Sequence, residues 1–446
     1  MKQPILTTVV SLACIALAGC ASYHPQPLPS VPNLTRTPSL TVPAAQFQLP
    51  HLAPHPIPTN GLDQTTIVTL AVYNDPVLKA ARLQDGIARA QMLQAGLLPD
   101  PVFTAGFATS ARDYGGALGL AEDLQSLITR GAAKAAASKA EQQVHLNILW
   151  QEWQVAAQAS QLFLQARSNQ VLQHVIRQRV HLLNRQYQSD RTAMQRGDQT
   201  STIVSSDLSQ LLTAQDQLRN LQTTSSATWH QLDQLLALQP GTRLHLIGPA
   251  AQHAITATQY RAAIAALADR RADLLALRAG YQSRQQALRE SILAQFPNIT
   301  AGVRLSRDPV EGVNSFGPRI SLTLPIFNRN RGQIAIQRAT RAYLRQTYQA
   351  HLDTAVNQAH QLWQANQILA AQLRNLRAQL PQLRRQADAA RRSVEQDQLD
   401  SAAYTSLQSI YLTKLAESIQ LSASLNASRA ALRILLGLPL DLPPQI

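Results

Sequence analysis

The sequence predicts a mostly α-helical protein with a small β part, and three observations support this fold class. Residues 132–195 contain neither proline nor glycine and are dominated by Ala, Gln, Leu and Arg, which are good helix formers. Two short segments, at 101–124 and 297–325, instead show the alternation of apolar and polar residues that is typical of strands. Finally, the second half of the chain repeats the first, so these elements occur twice.

The clearest strand pattern lies in the second of these segments. Its apolar residues are Ile299, Ala301, Val303 and Leu305 and, beyond a polar loop, Ile320, Leu322 and Leu324. Small or polar residues, including Arg304 and Arg319, stand between them, so each strand has two different faces. Both segments are therefore predicted to form antiparallel β-hairpins, although the second strand of the earlier hairpin alternates poorly.

A tandem duplication organises the whole chain. The segment PVFTAGF at 101–107 matches PNITAGV at 297–303, and LDQLLAL at 232–238 matches LRILLGL at 432–438. Each repeat is predicted to contain a leading helix, a hairpin, a long helix, a tight turn and a returning helix. The predicted parts are a first repeat at 61–238 (hairpin 101–124, long helix 131–195, returning helix 200–238), a linker at 239–258, a second repeat at 259–438 (hairpin 297–325, long helix 331–395, returning helix 400–436) and a tail at 439–446.

The long helices set the size of the molecule, because about 64 residues at ~1.5 Å per residue give roughly 95 Å. Leading and returning helices of ~50 Å and ~55 Å would stack end to end against them, giving a rod about 100 Å tall. Pro76 divides the first leading helix, and Pro381 predicts a kink or a restart in the second long helix. The second returning helix has a heptad seam of the coiled-coil type at Leu407, Tyr411, Lys414, Ser418, Leu421, Leu425, Ser428, Leu432 and Leu435.

The N-terminus resembles a bacterial lipoprotein signal peptide. A short apolar run follows Met1-Lys2 and ends in Leu17-Ala18-Gly19-Cys20, which predicts a signal peptide at 1–19 and a covalent lipid such as palmitate on Cys20. A transmembrane anchor with an incidental cysteine is the alternative, but the run is shorter than the roughly 18 to 20 residues that span a bilayer. Residues 20–60 are rich in proline and are predicted to form an extended, lipid-anchored arm.

Composition argues against several functions. The formal net charge of +14 would suit nucleic-acid binding, but an exported protein does not meet the usual nucleic acids, and its arginines are spread along helices. No catalytic motif is recognisable, so no enzyme activity and no cofactor other than the lipid are expected. His174 and His181 share a helix face but have no third ligand at useful spacing, so no metal site is predicted.

Four strands in one chain cannot close a barrel and would leave exposed sheet edges, so several copies are expected to share one sheet. The chain resembles the TolC family of outer-membrane efflux channels over residues 61–438. This resemblance is carried by the duplicated architecture, by the lipobox cysteine and by TLPIFNRNRGQI at 323–334, above all Leu324-Pro325-Ile326-Phe327 and Arg331-Gly332. It implies a homotrimer with a transmembrane twelve-stranded β-barrel continued by a twelve-helix α-barrel.

Family resemblance also implies a function, which is passive exit across the periplasm and outer membrane for substrates delivered by an inner-membrane pump and a periplasmic adaptor. Leu98-Pro99-Asp100-Pro101 looks most like the members that serve heavy-metal exporters. The alternative is a lipid-anchored periplasmic coiled-coil scaffold or adaptor protein without a pore. Exposed apolar strand faces favour the channel.

The turns between long and returning helices map onto the family's periplasmic gate and adaptor contact. The candidate residues are Gly197, Asp198, Asp207, Gln396, Asp397 and Asp400. Many family members have glycine in both turns, whereas Gln396 is expected to replace the second one here. An aspartate ring could attract cations or bind arginine, but the same residues could simply cap helices, as we expect for Asp400. Arg304 and Arg319 are candidates for the barrel lumen.

Overall fold

The computed structural model describes residues 23–38, 61–109, 114–248 and 251–439. The predicted signal peptide, Cys20, most of the proline-rich arm and nearly all of the tail lie outside the described residues. The chain divides into two units, of which the first ends at Thr35 and has no helix among its described residues. Everything that follows concerns the second unit.

Its elements occur in the same order in each half of the chain. The first half contains α1 (Gln64–Asn74), α2 (Pro76–Gly96), β1 (Val102–Thr109), β2 (Tyr114–Asp123), α3 (Gln125–Gln195) and α4 (Ser201–Leu235). The second half contains α5 (Ala257–Ala265), α6 (Leu267–Arg270), α7 (Ala272–Leu293), β3 (Asn298–Arg307), β4 (Asn314–Thr323), α8 (Arg331–Glu395) and α9 (Ser401–Leu435).

The first long helix, α3, is 71 residues long and begins earlier than the predicted residue 131. Its first amide, at Gln125, donates a hydrogen bond of 2.9 Å to the carboxylate of Asp123. In the second half, Pro325 and the left-handed backbone of Asn330 (φ 53°) delay the start of α8 until Arg331. The first half has no proline at the matching place, so its helix can begin directly after the strand.

Pro381 does not interrupt the second long helix, which contradicts the predicted restart. Helix α8 continues through it for 65 residues. A proline removes one backbone hydrogen bond from a helix interior. Helix α8 packs against α7 and α9, and this tertiary packing stabilises the helix in spite of that loss.

The first leading segment is divided at Pro76 as predicted, whereas the second is divided although no break was predicted there. Asp75 ends α1 and starts α2, because its carboxylate accepts the amide hydrogen of Leu78 at 2.6 Å. In the second half the breaks come at Ala266 and Arg271. The uninterrupted parts, α2 and α7, have 21 and 22 residues and are only ~32 Å long, rather than the expected ~50 Å.

One side-chain contact demonstrates the duplication directly. The guanidinium of Arg82 donates to the carbonyl of Val72 at 2.9 Å, and that of Arg278 donates to the carbonyl of Ala268 at 3.0 Å. The two pairs are separated by the same offset along the chain. In each repeat, therefore, an arginine on the last leading helix binds the end of the helix before it, where backbone carbonyls lack helical partners.

Helix α3 is the centre of the helical packing. It contacts α2 and α7 along one part of its length and α4 and α9 along another, while α8 packs on α7 and α9. The main apolar core lies where α1 meets α3 and the end of α4, and includes the fully buried Phe163, Ile67 and Leu232. Helix α8 has few buried residues for its length and lies at the edge of the array.

The seam predicted along the second returning helix is displaced. Ser418, Leu425 and Leu432 are buried as expected, but Lys414 is 42% exposed in its side chain and pairs with Glu417. Burial instead includes residues outside the predicted seam, namely Thr405, Ser409, Leu412, Asn426, Ala430 and Ile434. The reason is that α9 packs against two helices, α3 and α8, so its buried surface spreads over both contact lines.

All four strands belong to one antiparallel sheet with the order β1-β2-β3-β4. Strand β2 of the first hairpin pairs with β3 of the second, with Leu118 opposite Leu305. The two hairpins are therefore joined within the chain, and only the outer edges of β1 and β4 remain without a strand partner among the described residues. Pro318 lies in the edge strand β4, where a missing amide hydrogen is tolerated.

Candidate functional site

The register of the sheet gathers apolar side chains on one face. Residues directly opposite each other in an antiparallel sheet point to the same side. Large apolar residues therefore form a continuous surface, and each is between 44% and 90% exposed in the chain. They are Phe103, Phe107, Leu118, Leu120, Val303, Leu305, Phe316, Ile320 and Leu322. An exposed apolar surface of this extent marks a site of contact with lipid or protein.

The opposite face of the same sheet is small and polar. Its uncharged residues with described side chains are Val102, Thr104, Gly106, Gly115, Ala117, Gly119, Ala121, Asn298, Thr300, Gly302, Ser306, Ser315, Gly317, Ser321 and Thr323, of which Val102 is the one large apolar residue. Arg304 and Arg319 also lie on this face and are exposed. The apolar side also carries Glu122 and Arg307, near the ends of β2 and β3. Over the rest of its area the sheet separates an apolar side from a side that suits water.

The two tight turns between long and returning helices have the same geometry. The amide of Asp198 donates to the carbonyl of Ala193 at 2.9 Å, and the amide of Gln398 donates to Ser393 at 2.8 Å. Helix ends of this kind place one residue in the left-handed conformation. That residue is Gly197 (φ 85°) in the first turn and Asp397 (φ 56°) in the second.

The expected replacement of glycine by Gln396 is therefore wrong. Gln396 has φ −104°, and its counterpart in the first turn is Arg196, with φ −90°. The residue that stands in for Gly197 is Asp397, because it has the positive φ. Aspartate is among the few residues with a side chain that tolerate this conformation, which explains how both turns keep one shape.

The tip carboxylates differ in their surroundings. Asp198 and Asp397 are exposed, and neither forms an ion pair within the described residues. Asp400 caps α9, since its carboxylate accepts the amide hydrogen of Ala402 at 3.3 Å. Thr200 occupies the matching position before α4 but makes no side-chain cap hydrogen bond.

Asp207 belongs to a different cluster, further along the helices from the turn. Burial and the nearby carboxyl group of Asp190 raise the pKa of Asp207 to about 6. Asp190 is itself buried and accepts a hydrogen bond of 2.7 Å from the side chain of Gln186. Thr405 on α9 donates to the same Gln186 at 3.1 Å, so this polar cluster joins α3, α4 and α9.

Sequence reasoning missed Asp190, Gln186 and Thr405, although a signal for the first was present. Asp190 and Asp207 lie at nearly equal distances on either side of the first turn, and an antiparallel helical hairpin brings such residues opposite each other. Gln186 and Asp190 are also four residues apart, the spacing of neighbours on one helix face. Thr405 comes from the other repeat and could be found only from the packing of α9 on α3.

Metal binding finds no support in the described part of the chain, where no group of three or more potential ligands occurs. The ring of His174 instead contacts the amide of Gln178 at 3.0 Å. Among the helices that the structure describes, none has the length and apolar character needed to cross a membrane. Cys20, the predicted lipidation site, lies outside the described residues.

No protein-family model and no curated protein matches this sequence. Solved structures do match. The outer membrane protein VceC from Vibrio cholerae has a TM-score of 0.69 and 15% identity, covering 84% of this chain and 96% of that chain. The Campylobacter jejuni CmeC outer membrane channel has a TM-score of 0.67 and 15% identity, covering 84% and 85%. CusC, whose structures concern transmembrane channel formation, has a TM-score of 0.68 and 14% identity, covering 85% and 94%. This chain therefore has the fold of the TolC-like outer-membrane channels, as its resemblance to that family predicted.

Proposed function

We propose that this chain is the outer-membrane channel component of a tripartite efflux system. It gives passive exit across the periplasm and outer membrane to substrates delivered by an inner-membrane pump and a periplasmic adaptor. In this role the chain needs no catalytic activity, and a covalent lipid on Cys20 anchors it. The fold that it shares with solved outer-membrane channels supports this proposal.

The two-faced sheet is the observation that carries the proposal. An exposed apolar face is stable only against a non-aqueous partner, and lipid chains supply one over the whole surface. The strands have 8 to 10 residues, close to the 9 to 11 that a tilted strand needs to cross a bilayer. The polar face then borders an aqueous path.

The free edges of β1 and β4 favour a homotrimer. Within lipid, every backbone amide and carbonyl needs a partner, so an open sheet edge cannot remain there. Three copies, each contributing four strands edge to edge, form a closed sheet of twelve strands, which is the arrangement implied by the resemblance to the TolC family. Each β1 would then pair with the β4 of a neighbouring copy.

Charge on the outer helices is consistent with the same closure. Helix α8, at one edge of the array, carries far more basic than acidic residues, namely Arg331, Arg338, Arg341, Arg345, Arg374, Arg377, Arg384, Arg385, Arg391 and Arg392 against Asp353, Asp388 and Glu395. Helix α4, at the other edge, is nearly neutral: it carries Asp207, Asp216 and Asp233 against Arg219, but Asp233 is buried and Asp216 pairs with Arg219. When copies associate head to tail, the basic edge therefore meets an edge without like charge, and repulsion is avoided.

The exposed turns at Gly197 and Asp397 are the proposed contact with the adaptor. They project beyond the packed helices, and their side chains lack ion-pair partners in the described part of the chain. Lipidation at Cys20 would hold the protein in the outer membrane, with its helices in the periplasm. Heavy-metal ions remain the substrate class that Leu98-Pro99-Asp100-Pro101 suggests, with drugs as the alternative.

Single-channel recording tests the proposed function. The full-length lipoprotein, purified in detergent and added to planar lipid bilayers, is expected to give discrete conductance steps. The same preparation should migrate as a trimer that dissociates on heating. A protein that is monomeric and soluble without detergent, and that gives no conductance steps, would instead support the scaffold without a pore.

A further inference from the structure

Two arginines stand on the polar face of the sheet with unusually little around them. In the row across the sheet that contains Arg304, both neighbouring strands carry glycine, at Gly119 and Gly317. In the row that contains Arg319, the adjacent residue of β3 is Gly302. Glycine has no side chain, so these directly opposite positions do not cover the arginines, and both Arg304 and Arg319 are exposed.

The two arginines are also close to each other. Arg319 lies opposite Gly302, which is two residues from Arg304 along β3. Diagonal neighbours of this kind in an antiparallel pair are roughly 7–8 Å apart. Two guanidinium groups at this spacing can reach the same anion, and their planar N–H groups match carboxylate and phosphate oxygens.

Few carboxylates lie near Arg304 and Arg319 to neutralise their positive charge. Neither arginine forms an ion pair within the described residues. Asp123 is the one carboxylate on this face of the described strands, and it is engaged by the first amide of α3 at 2.9 Å. Asp308, in the loop of the second hairpin, is bound by the amides of Val310 and Glu311 at 2.7 and 3.1 Å.

We propose that Arg304 and Arg319 form an anion-recognition pair, so that the strand end of the channel favours anionic solutes over cations. This inference rests on the proposed function, because it requires the polar face to border the aqueous path. Three copies of the pair would give six arginines around one axis. Rings of arginine favour anions by lowering the electrostatic barrier to their entry. The substrate class that fits is a solute carrying carboxylate or phosphate groups, so this inference disfavours the heavy-metal cations suggested by Leu98-Pro99-Asp100-Pro101 and favours the alternative of organic solutes such as drugs.

The test is the reversal potential of the reconstituted full-length protein across a potassium chloride gradient. The wild type is expected to show a reversal potential of the sign set by chloride. The double variant R304Q/R319Q is expected to move it to zero or to the potassium sign. The matched control is Arg307→Gln, which removes the same charge from the same strand but on the opposite face. This control should keep the wild-type reversal potential.

Each outcome decides the proposal. Three results would overturn the proposed anion recognition without affecting the proposed channel function. They are a wild-type channel that favours potassium, a double variant that keeps its chloride selectivity, and an Arg307→Gln variant that loses as much chloride selectivity as the double variant. If the double variant forms no channels, the single variants Arg304→Gln and Arg319→Gln carry the test, and each should lose part of the selectivity. Absence of any conductance in the wild type would overturn the proposed channel function, and the pair with it.

Discussion

At the scale of single residues, the duplication places equivalent arginines in two different environments of the same chain, so their contributions to stability can be compared. Arg82 donates to the wholly buried carboxylate of Glu152 at 2.8 Å, whereas Arg278, its counterpart, pairs with Asp269, which is 72% exposed. Removing one partner of a buried ion pair leaves a buried charge without compensation. The same contact at a surface contributes little, because water screens it.

Arg82→Met is therefore expected to lower the free energy of unfolding by about 3–5 kcal/mol. Arg278→Met should lower it by on the order of 1 kcal/mol. Urea unfolding of the two variants, followed by far-ultraviolet circular dichroism, measures the difference. Equal losses would contradict the argument that burial of Glu152 makes the first contact the stronger one.

The left-handed residue of the second turn gives another prediction. A side chain in this conformation costs roughly 1–2 kcal/mol, less for aspartate than for alanine. Asp397→Gly should raise the melting temperature, and Asp397→Ala should lower it. Alanine substitutions therefore cannot test whether Asp198 and Asp397 form a gate, because Asp397→Ala removes the charge and also strains the turn.

Replacement by asparagine removes the charge and still tolerates a positive φ. If Asp198 and Asp397 hold a resting aperture closed, the double variant D198N/D397N should raise the closed-state current of reconstituted channels. A current equal to that of the wild type would contradict the gate hypothesis, and these two residues would then serve only the structure of the turns.

The paired carboxyls of Asp207 and Asp190 make stability depend on pH. The pKa of Asp207 is raised from 3.8 to about 6, so the folded state holds a proton that the unfolded state releases between these values. Stability should therefore fall as the pH rises through this window and then level off. The stability of Asp207→Asn should equal that of the wild type below about pH 4. Between about pH 4 and pH 6 the variant should become progressively more stable than the wild type. Melting temperatures across this range measure the effect, with Asp216→Asn as the exposed control, for which no such growing difference is expected.

At the scale of elements, the sequence predicted the existence and type of most helices and strands, because helix-forming composition and strand alternation are local properties of the chain. The strand β2 alternated poorly since its outward positions hold Gly116, Leu118 and Leu120 while Gly119 and Ala121 fill the other face. Backbone pairing with β3 stabilises β2 as a strand, although its own sequence alternates poorly. Boundaries that depend on local capping, such as the start of α3 at Gln125, were not visible in the periodicity.

The two faces of β4 allow the membrane contact to be tested with adjacent residues. Phe316 lies on the apolar face and is 73% exposed, while Ser315 lies on the polar face. An arginine in contact with lipid costs about 2–4 kcal/mol near the middle of a bilayer and less near its surfaces. Phe316→Arg should reduce the fraction of protein that inserts into liposomes, and Ser315→Arg should not. Equal insertion of both variants would argue that the apolar face contacts protein rather than lipid.

At the scale of the whole molecule, the sequence predicted repeated hairpins but could not predict that they pair with each other. The bond between β2 and β3 joins residues nearly two hundred positions apart, and no local pattern encodes such a contact. The same is true of Thr405 and Gln186, which connect the two repeats near the turns. These contacts make each chain one four-stranded unit, so its two remaining edges determine how copies can associate.

Those edges imply that the copies close into a ring, and the number of copies in the ring can be counted. A head-to-tail contact between β1 and β4 closes only when the strands return to their starting point, so a fixed number of copies forms one ring. Co-expression of the full chain with a second version that carries a long C-terminal tag should give mixed assemblies of every composition. A trimer gives four positions on a native gel, and a dimer gives three. Heating should collapse all of them to the two single chains. Any other number of resolved positions would contradict the trimer and with it the closed sheet of twelve strands.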